Sequence, residues 1–76
     1  MEKEEDLFIK NVGVKIRELR KKKNLTQLDL ADKSDLDERQ IQRLEYGVSA
    51  PTLKTLYKVI RGLGMSFDDF FKFDSE

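Results

Sequence analysis

Apolar residues recur at intervals of three and four along almost the whole chain, in short segments separated by capping and turn residues. This spacing places the apolar side chains of each segment on one face of an α-helix. No segment shows the sustained alternation of apolar and polar residues that is typical of a β-strand. At 76 residues the chain has room for one modest domain. The pattern therefore predicts an all-α fold, a compact domain of five helices with short connections.

The first helix is expected over about residues 5–23. Gly13 in its interior costs the helix about 1 kcal/mol relative to Ala, so we expect a neighbouring helix to approach closely at this position. The helix ends in a basic run that suits the negative end of the helix dipole. The residues expected on its inward side are Phe8, Val12, Ile16 and Leu19.

Two short helices are predicted next. Thr26 and Asp29 form a capping-box pattern that opens the second helix, which ends near Lys33. Asp37, followed at the third position by Gln40, opens the third helix, and Gly47 ends it. The turn between them contains Asp35, which tolerates a left-handed conformation. The residues expected to face inward are Leu30, Ala31, Ile41 and Leu44.

A fourth and a fifth helix complete the chain. Pro51 and Thr52 introduce the fourth and Gly64 stops it, while Ser66 with Asp69 caps a last short helix. The residues expected inward on the fourth helix are Leu53, Leu56, Tyr57, Ile60 and Leu63. The last helix carries Phe67 and Phe70, expected in the core, and Phe71. Phe71 and Phe73 cannot easily point the same way, so we expect both at a twofold dimer interface.

Charge is distributed unevenly along the chain. The net charge is zero, with 15 basic and 15 acidic residues. Residues 1–6 carry −3 and the segment from residue 65 onward carries another −3, which leaves +6 on residues 7–64. We therefore expect a single domain over 1–76, folded over 7–73 with short acidic ends, whose basic middle can approach phosphates.

The chain has no Cys and no His. This composition excludes disulfides and removes the usual general base and the strongest zinc ligands. Adjacent carboxylates such as Asp68 and Asp69 are not accompanied by a nucleophile, so an enzyme is not expected. We expect no metal, no cofactor and no small-molecule ligand. No apolar run approaches the roughly 20 residues of a membrane span, which predicts a cytoplasmic, nucleoid-associated protein with no membrane partner.

One string of residues is more specific than the helix pattern. It runs through Val12-Gly13-x-x-Ile16-Arg17-x-Leu19-Arg20, Leu25-Thr26-Gln27-x-x-Leu30-Ala31, Ile41-x-x-Leu44-Glu45-x-Gly47 and Pro51-Thr52-Leu53, and continues to Ser66. The string resembles the phage repressor and Cro-like (XRE-type) helix-turn-helix family. The resemblance covers about residues 12–71. It implies a lambda-repressor-like fold that binds double-stranded DNA as a homodimer and regulates transcription, with the third helix in the major groove.

The resemblance also implies roles for individual residues. Gln27 is expected to contact a phosphate and to support the third helix. Arg20 and Glu45 are expected to form a structural pair, not a binding site. Tyr46 stands where the family commonly has Asn. It can meet the DNA backbone or pack on the loop. The positions that match base-reading or backbone-reading positions on the third helix are Glu38, Arg39, Gln42 and Arg43.

The hydrogen-bonding groups and charges of these side chains suit DNA contact to different degrees. Arg39 and Arg43 can each make a bidentate contact to guanine, and Gln42 can read adenine. Glu38 is repelled by phosphate unless it accepts a hydrogen bond from a cytosine amine or orients a neighbouring side chain. The loop and the start of the fourth helix often meet the sugar-phosphate backbone in the family, which makes Ser49, Thr52 and Lys54 candidates.

The basic run at the end of the first helix is open to two interpretations. Lys21, Lys22 and Lys23 can form a solvated face favoured by the helix dipole, or they can contact phosphates, with Lys22 as the candidate. A broader alternative is also open. The neutral total charge, Asp35 and Glu38 also fit a protein–protein adaptor or antitoxin-like module that keeps the fold with weak or no DNA binding.

Overall fold

The computed structural model describes residues 3–72, and over this range the chain forms five α-helices. The helices are α1 (Glu4–Lys22), α2 (Gln27–Ser34), α3 (Glu38–Tyr46), α4 (Leu53–Gly62) and α5 (Phe67–Phe70). The expected all-α, five-helix fold is confirmed. Because α1 begins at Glu4, the acidic residues 4–6 form its first turn, where negative charge suits the helix dipole.

A reciprocal capping box starts α2, as the sequence predicts. The Asp29 backbone N–H donates to Thr26 Oγ1 at 2.9 Å, and the Thr26 backbone N–H donates to Asp29 Oδ2 at 2.9 Å. The hydrogen bond from the Thr26 backbone, followed by that from its side chain, lowers the pKa of Asp29 below its ordinary value of 3.8. The carboxylate form of Asp29 is therefore the form that holds the start of the helix.

The other helix ends also follow the local sequence signals. Gln40 Oε1 accepts a hydrogen bond from the Asp37 backbone N–H at 3.1 Å at the start of α3. At the starts of α4 and α5 the hydroxyl oxygens of Thr52 and Ser66 accept hydrogen bonds from the backbone N–H groups of Thr55 and Asp69. Asp35 has φ 57° and ψ 46°, the left-handed conformation expected for the turn between α2 and α3. Side-chain caps and turn residues thus fix these boundaries locally.

One core joins all five helices. α1 packs on α3, α2 packs on both α3 and α4, and α5 packs on α4. The buried apolar side chains are Val12, Ile16, Leu30, Ala31, Ile41, Leu44, Leu56, Val59, Ile60, Leu63 and Phe70. Leu19, Phe67 and Phe71 are partly buried against this core.

Two glycines allow helices to approach closely. A Cβ at Gly13 would overlap the backbone carbonyl oxygens of Leu44 and Glu45, so α1 lies directly against the end of α3. This contact confirms the close approach predicted at Gly13. A Cβ at Gly62 would overlap the Ser34 hydroxyl, which brings α4 equally close to the end of α2.

Three residues predicted to face inward are exposed. Phe8 is 53% exposed, Leu53 is 80% exposed and Tyr57 is 55% exposed, so those predictions are wrong. Helical spacing gives the direction of a side chain relative to its own helix, but its burial depends on whether another helix covers that direction. α4 buries Leu56, Val59 and Ile60, whereas Leu53 and Tyr57 keep more than half of their surface exposed, although the Tyr57 ring stacks on Phe67 of α5.

No helix within residues 3–72 combines the length and the apolar character needed to cross a membrane. Phe73, predicted at a dimer interface, lies outside the described residues.

Candidate nucleic-acid interface

α3 has one buried side and one exposed side. Ile41 is fully buried and Leu44 is 7% exposed, so both anchor the helix in the core as predicted. Successive side chains on an α-helix are about 100° apart, and burial of one side therefore turns a defined set of residues outward. The exposed residues of α3 are Glu38, Arg39, Gln40, Arg43 and Tyr46. All of them except Gln40 lie within an arc of about 140° that also contains Gln42.

The structure brings the predicted reading residues to this one surface. Arg39, Arg43 and Glu38 are exposed, and Tyr46 is 67% exposed near the centre of the arc. Gln42 is partly buried and lies between Glu38 and Tyr46 around the helix axis. Two guanidinium groups, an amide and a phenol thus project from a single helix face, and all four side chains can donate hydrogen bonds to bases or phosphates.

A buried ion pair fixes the end of α3 to α1. Arg20 Nε donates to Glu45 Oε2 at 2.6 Å and Arg20 Nη2 donates to Glu45 Oε1 at 3.1 Å. The Glu45 side chain is 1% exposed and the Arg20 side chain is 10% exposed. Arg20 Nη1 also donates to the carbonyl oxygen of Leu25 at 2.8 Å, a contact that sequence reasoning missed because main-chain acceptors leave no side-chain signal. This bidentate arrangement confirms the structural pairing predicted for Arg20 and Glu45.

Gln27 joins the same group of hydrogen bonds. Its Nε2 donates to Glu45 Oε1 at 3.1 Å, and the side chain stands at the first position of α2. Glu45 therefore connects α3 with α1 and α2 at one point. The predicted support of the third helix by Gln27 is present, while its partly buried side chain keeps part of its surface towards solvent.

The loop after α3 extends this surface. Arg43, Ser49 and Thr52 line a shallow depression of about 210 Å³, to which Gln40 and Thr55 also contribute. Thr52 Oγ1 is the N-cap acceptor of α4, so its position is fixed by the helix it starts. Lys54 is exposed in the first turn of α4. Ser49 and Thr52 thus lie beside the outward face of α3, and their contact with a sugar-phosphate backbone stays a prediction.

Lys22 lies elsewhere. It is about 200° around α1 from Arg20, the residue that points to α3, and it lines a separate depression with Phe8 and Lys15. The structure therefore does not bring Lys22 to the surface formed by α3.

Other kinds of site find little support in the described part of the chain. Within residues 3–72, no group of three or more carboxylates is placed to hold a metal ion. A depression of about 930 Å³ runs along α1 and is lined by Phe8, Asn11, Val14, Lys15, Glu18, Leu19 and Lys22. It contains one carboxylate and no residue of α3, so it does not extend the outward face of α3.

Comparison with known proteins identifies the fold. Residues 16–70, most of the chain, match the helix-turn-helix family. The protein belongs to the XRE-type helix-turn-helix family. Within it, α2 and α3 form the helix-turn-helix, and the second helix of such a motif is called the recognition helix. The match points to a family of DNA-binding regulators and not to a family of enzymes.

Relatives and solved structures agree with this assignment. An uncharacterized HTH-type transcriptional regulator of Archaeoglobus fulgidus is 39% identical over 62 residues, which cover 82% of this chain and 87% of the relative. One from Methanocaldococcus jannaschii is 32% identical over 62 residues, covering 82% of this chain and 94% of that protein.

The restriction–modification controller protein C.Esp1396I has a similar structure. Its wild-type form has a TM-score of 0.80 at 36% identity, covering 84% of this chain and 82% of its own. The same protein, as a tetramer bound to its natural 35-base-pair operator, gives a TM-score of 0.81 at 36% identity, covering 84% of each chain. These findings confirm the expected helix-turn-helix resemblance and support DNA-binding transcription regulation.

Proposed function

We propose that the protein is a sequence-specific transcriptional regulator that binds double-stranded DNA as a dimer, on a palindromic operator. The observation that carries this proposal is the outward face of the recognition helix. Buried Ile41 and Leu44 and the Arg20–Glu45 pair hold α3 so that Arg39, Gln42 and Arg43 point away from the core. An α-helix held in this way fits the major groove, where each base pair presents a distinct set of donors and acceptors.

The residues have separate roles in the proposal. Arg39 and Arg43 each pair with the O6 and N7 atoms of a guanine, and Gln42 pairs with an adenine. Gln27, Ser49, Thr52 and Lys54 contact phosphates and position the helix without reading sequence. Tyr46, which is exposed beside them, contacts the sugar-phosphate backbone. Glu38 accepts a hydrogen bond from a cytosine amine or orients Arg39.

An apolar patch on α4 and α5 suits the dimer contact. We define the α4–α5 patch as Leu53, Tyr57, Phe67 and Phe71. Tyr57 and Phe67 stack with ring centroids 6.0 Å apart, and Leu53 is 80% exposed one turn away from Tyr57. A second copy would cover this patch by a twofold contact. The molecule measures 34 × 30 × 21 Å, so two copies side by side can place their recognition helices about 34 Å apart, one turn of B-DNA.

Selection of bound sequences from a randomised duplex pool tests base reading. We expect a palindromic consensus for the unaltered protein. Arg39→Ala and Arg43→Ala should each relax particular base positions, at about 1–3 kcal/mol of discrimination. Arg39→Lys and Arg43→Lys are the matched controls, because they keep the charge and remove the planar fork, so preference should fall while salt dependence stays. An unchanged consensus in all four variants would refute the assigned reading face.

The adaptor alternative is supported by a specific feature. Asp32, Asp35 and Asp37 line a depression of about 240 Å³ at the turn before α3, and this acidic group disfavours a nearby phosphate. An adaptor shows almost no salt-dependent affinity for random duplexes, whereas a DNA binder shows a steep dependence from counterion release. A titration of the unaltered protein at several salt concentrations separates the two functions.

Location follows from the proposed target. A regulator of this kind acts on DNA in the cytoplasm, at the nucleoid. Imaging of a fluorescent fusion should show it overlapping stained DNA.

A further inference from the structure

We propose that Arg17 and Lys21 on α1 form a phosphate-binding site beside the recognition helix, a role that rests on the proposed function. Both side chains are exposed, and they stand four residues apart on one side of α1. Their ligand is the sugar-phosphate backbone of the operator, next to the bases that α3 reads.

The direction of the two side chains follows from the contacts of α1. Val12, Ile16 and Leu19 turn towards the core, while Gly13 and Arg20 turn towards the end of α3. Counted at about 100° per residue, Arg17 and Lys21 lie roughly 60° and 100° beyond Arg20, on the side away from Leu19. They therefore occupy the outer flank of α1 immediately next to its contact with α3.

This flank is held rigidly to the recognition helix. Gly13 lets the α1 backbone touch the carbonyl groups of Leu44 and Glu45, and the Arg20–Glu45 pair closes the same contact in the last turn of α1. Arg17 lies between these two points along the helix. A duplex that follows the outward face of α3 thus meets a charged flank whose position is fixed relative to the bases.

Within the described residues, no carboxylate forms an ion pair that neutralises the charge of Arg17 or Lys21. Like charges at positions i and i+4 of a helix repel and disfavour it. The negative end of the helix dipole stabilises the charge of Lys21, which lies in the last turn. It stabilises the charge of Arg17 less, because the effect of the dipole falls off within one turn. A phosphate bound between the two groups relieves this repulsion.

Lys22 provides a matched control, because it carries the same charge in the same helical turn. It is about 100° away from Lys21 and about 140° away from Arg17 around the helix axis, and it lines the depression on the far side of α1. General attraction between a basic helix and DNA would treat Lys21 and Lys22 alike. A directed phosphate contact distinguishes them.

The test measures affinity for the selected operator duplex by fluorescence anisotropy at several salt concentrations. The variants are Arg17→Ala, Lys21→Ala, their double variant and Lys22→Ala. Each lost phosphate contact should make the negative slope of log K against log salt shallower by about 0.9. At 0.1 M salt this change corresponds to roughly an eightfold loss of affinity. The base consensus should not change, and Lys22→Ala should alter affinity less than about twofold on the same reasoning.

A second measurement locates the contact. Replacing single phosphates of the duplex with neutral methylphosphonates should weaken binding of the unaltered protein at particular flanking positions. The double variant should be insensitive to the same replacements, because its partner groups are already gone. Equal melting temperatures confirm that every variant is folded.

The outcomes separate the inference from the proposed function. If the unaltered protein shows no salt-dependent DNA binding, the proposed function fails. If it binds its operator and the double variant keeps the full salt slope, the inference is wrong while the function stands. A loss in Lys22→Ala equal to that in Lys21→Ala also overturns the inference, since it indicates general attraction.

Discussion

The buried Arg20–Glu45 pair makes a strong prediction about stability. Glu45→Gln keeps the volume of the side chain and one oxygen acceptor but removes the charge opposite the Arg20 guanidinium. Since the Glu45 side chain is 1% exposed and that of Arg20 is 10% exposed, water can compensate only weakly. Breaking a buried pair by removing one partner costs about 3–5 kcal/mol, and the retained amide lowers this to about 2–4 kcal/mol.

That loss is large for a chain of this length. Small domains are stable by about 0.05–0.15 kcal/mol per residue, which for 76 residues gives roughly 4–11 kcal/mol. A loss of 3 kcal/mol should lower the melting temperature by roughly 12–24 °C, at about 4–8 °C per kcal/mol. Urea unfolding should show a lower midpoint with an unchanged slope.

A double-mutant cycle separates the pair from other effects of mutation. Arg20→Met and Glu45→Leu should each destabilise the fold, because each leaves one charge buried without its partner. The double variant should lie much closer to the original protein, since both charges are then gone. Additive losses, or a Glu45→Gln loss below about 1 kcal/mol as measured for exposed pairs, would show that the pair does not hold α1 to α3 as argued.

Three further variants test other features of the fold. Gly13→Ala gains about 1 kcal/mol of helix propensity but forces α1 away from the Leu44 carbonyl. We therefore expect urea unfolding to show a net loss of about 1–3 kcal/mol in the free energy of unfolding. A net gain would contradict the close approach of α1 and α3. Asp29→Asn should lose stability relative to the original protein at neutral pH. The pKa of Asp29 is lowered in the fold, so the carboxylate stabilises the fold above the ordinary pKa of 3.8, and this stabilisation disappears as the pH falls through the lower folded pKa. The unfolding curves of the original protein and of Asp29→Asn should therefore converge in acid. A stability difference that does not depend on pH would refute the role of the charge. Tyr57→Lys should shift sedimentation towards monomer. The melting temperature of the monomer should change little, because Tyr57 is 55% exposed. An unchanged dimer would exclude the α4–α5 patch as the dimer contact.

Local signals in the sequence determined the helices and their ends. The Thr26–Asp29 box, the Thr52 cap and the left-handed Asp35 depend on residues within one turn of one another, so their geometry can be read from spacing alone. The anchoring of α3 by Ile41 and Leu44 was also predictable, because nine residues with a clear apolar side leave one way to bury that helix.

Only the tertiary structure decided which flanks of the helices are covered. Phe8, Leu53 and Tyr57 fit the apolar spacing of their helices, yet each is more than half exposed, because the neighbouring helices do not cover these positions fully. The same limit applies to Lys21 and Lys22, which are equivalent in sequence and point in different directions relative to α3. Periodicity describes a helix about its own axis, whereas burial and reach depend on where the other helices lie, and that is set by long-range contacts such as Gly13 against α3.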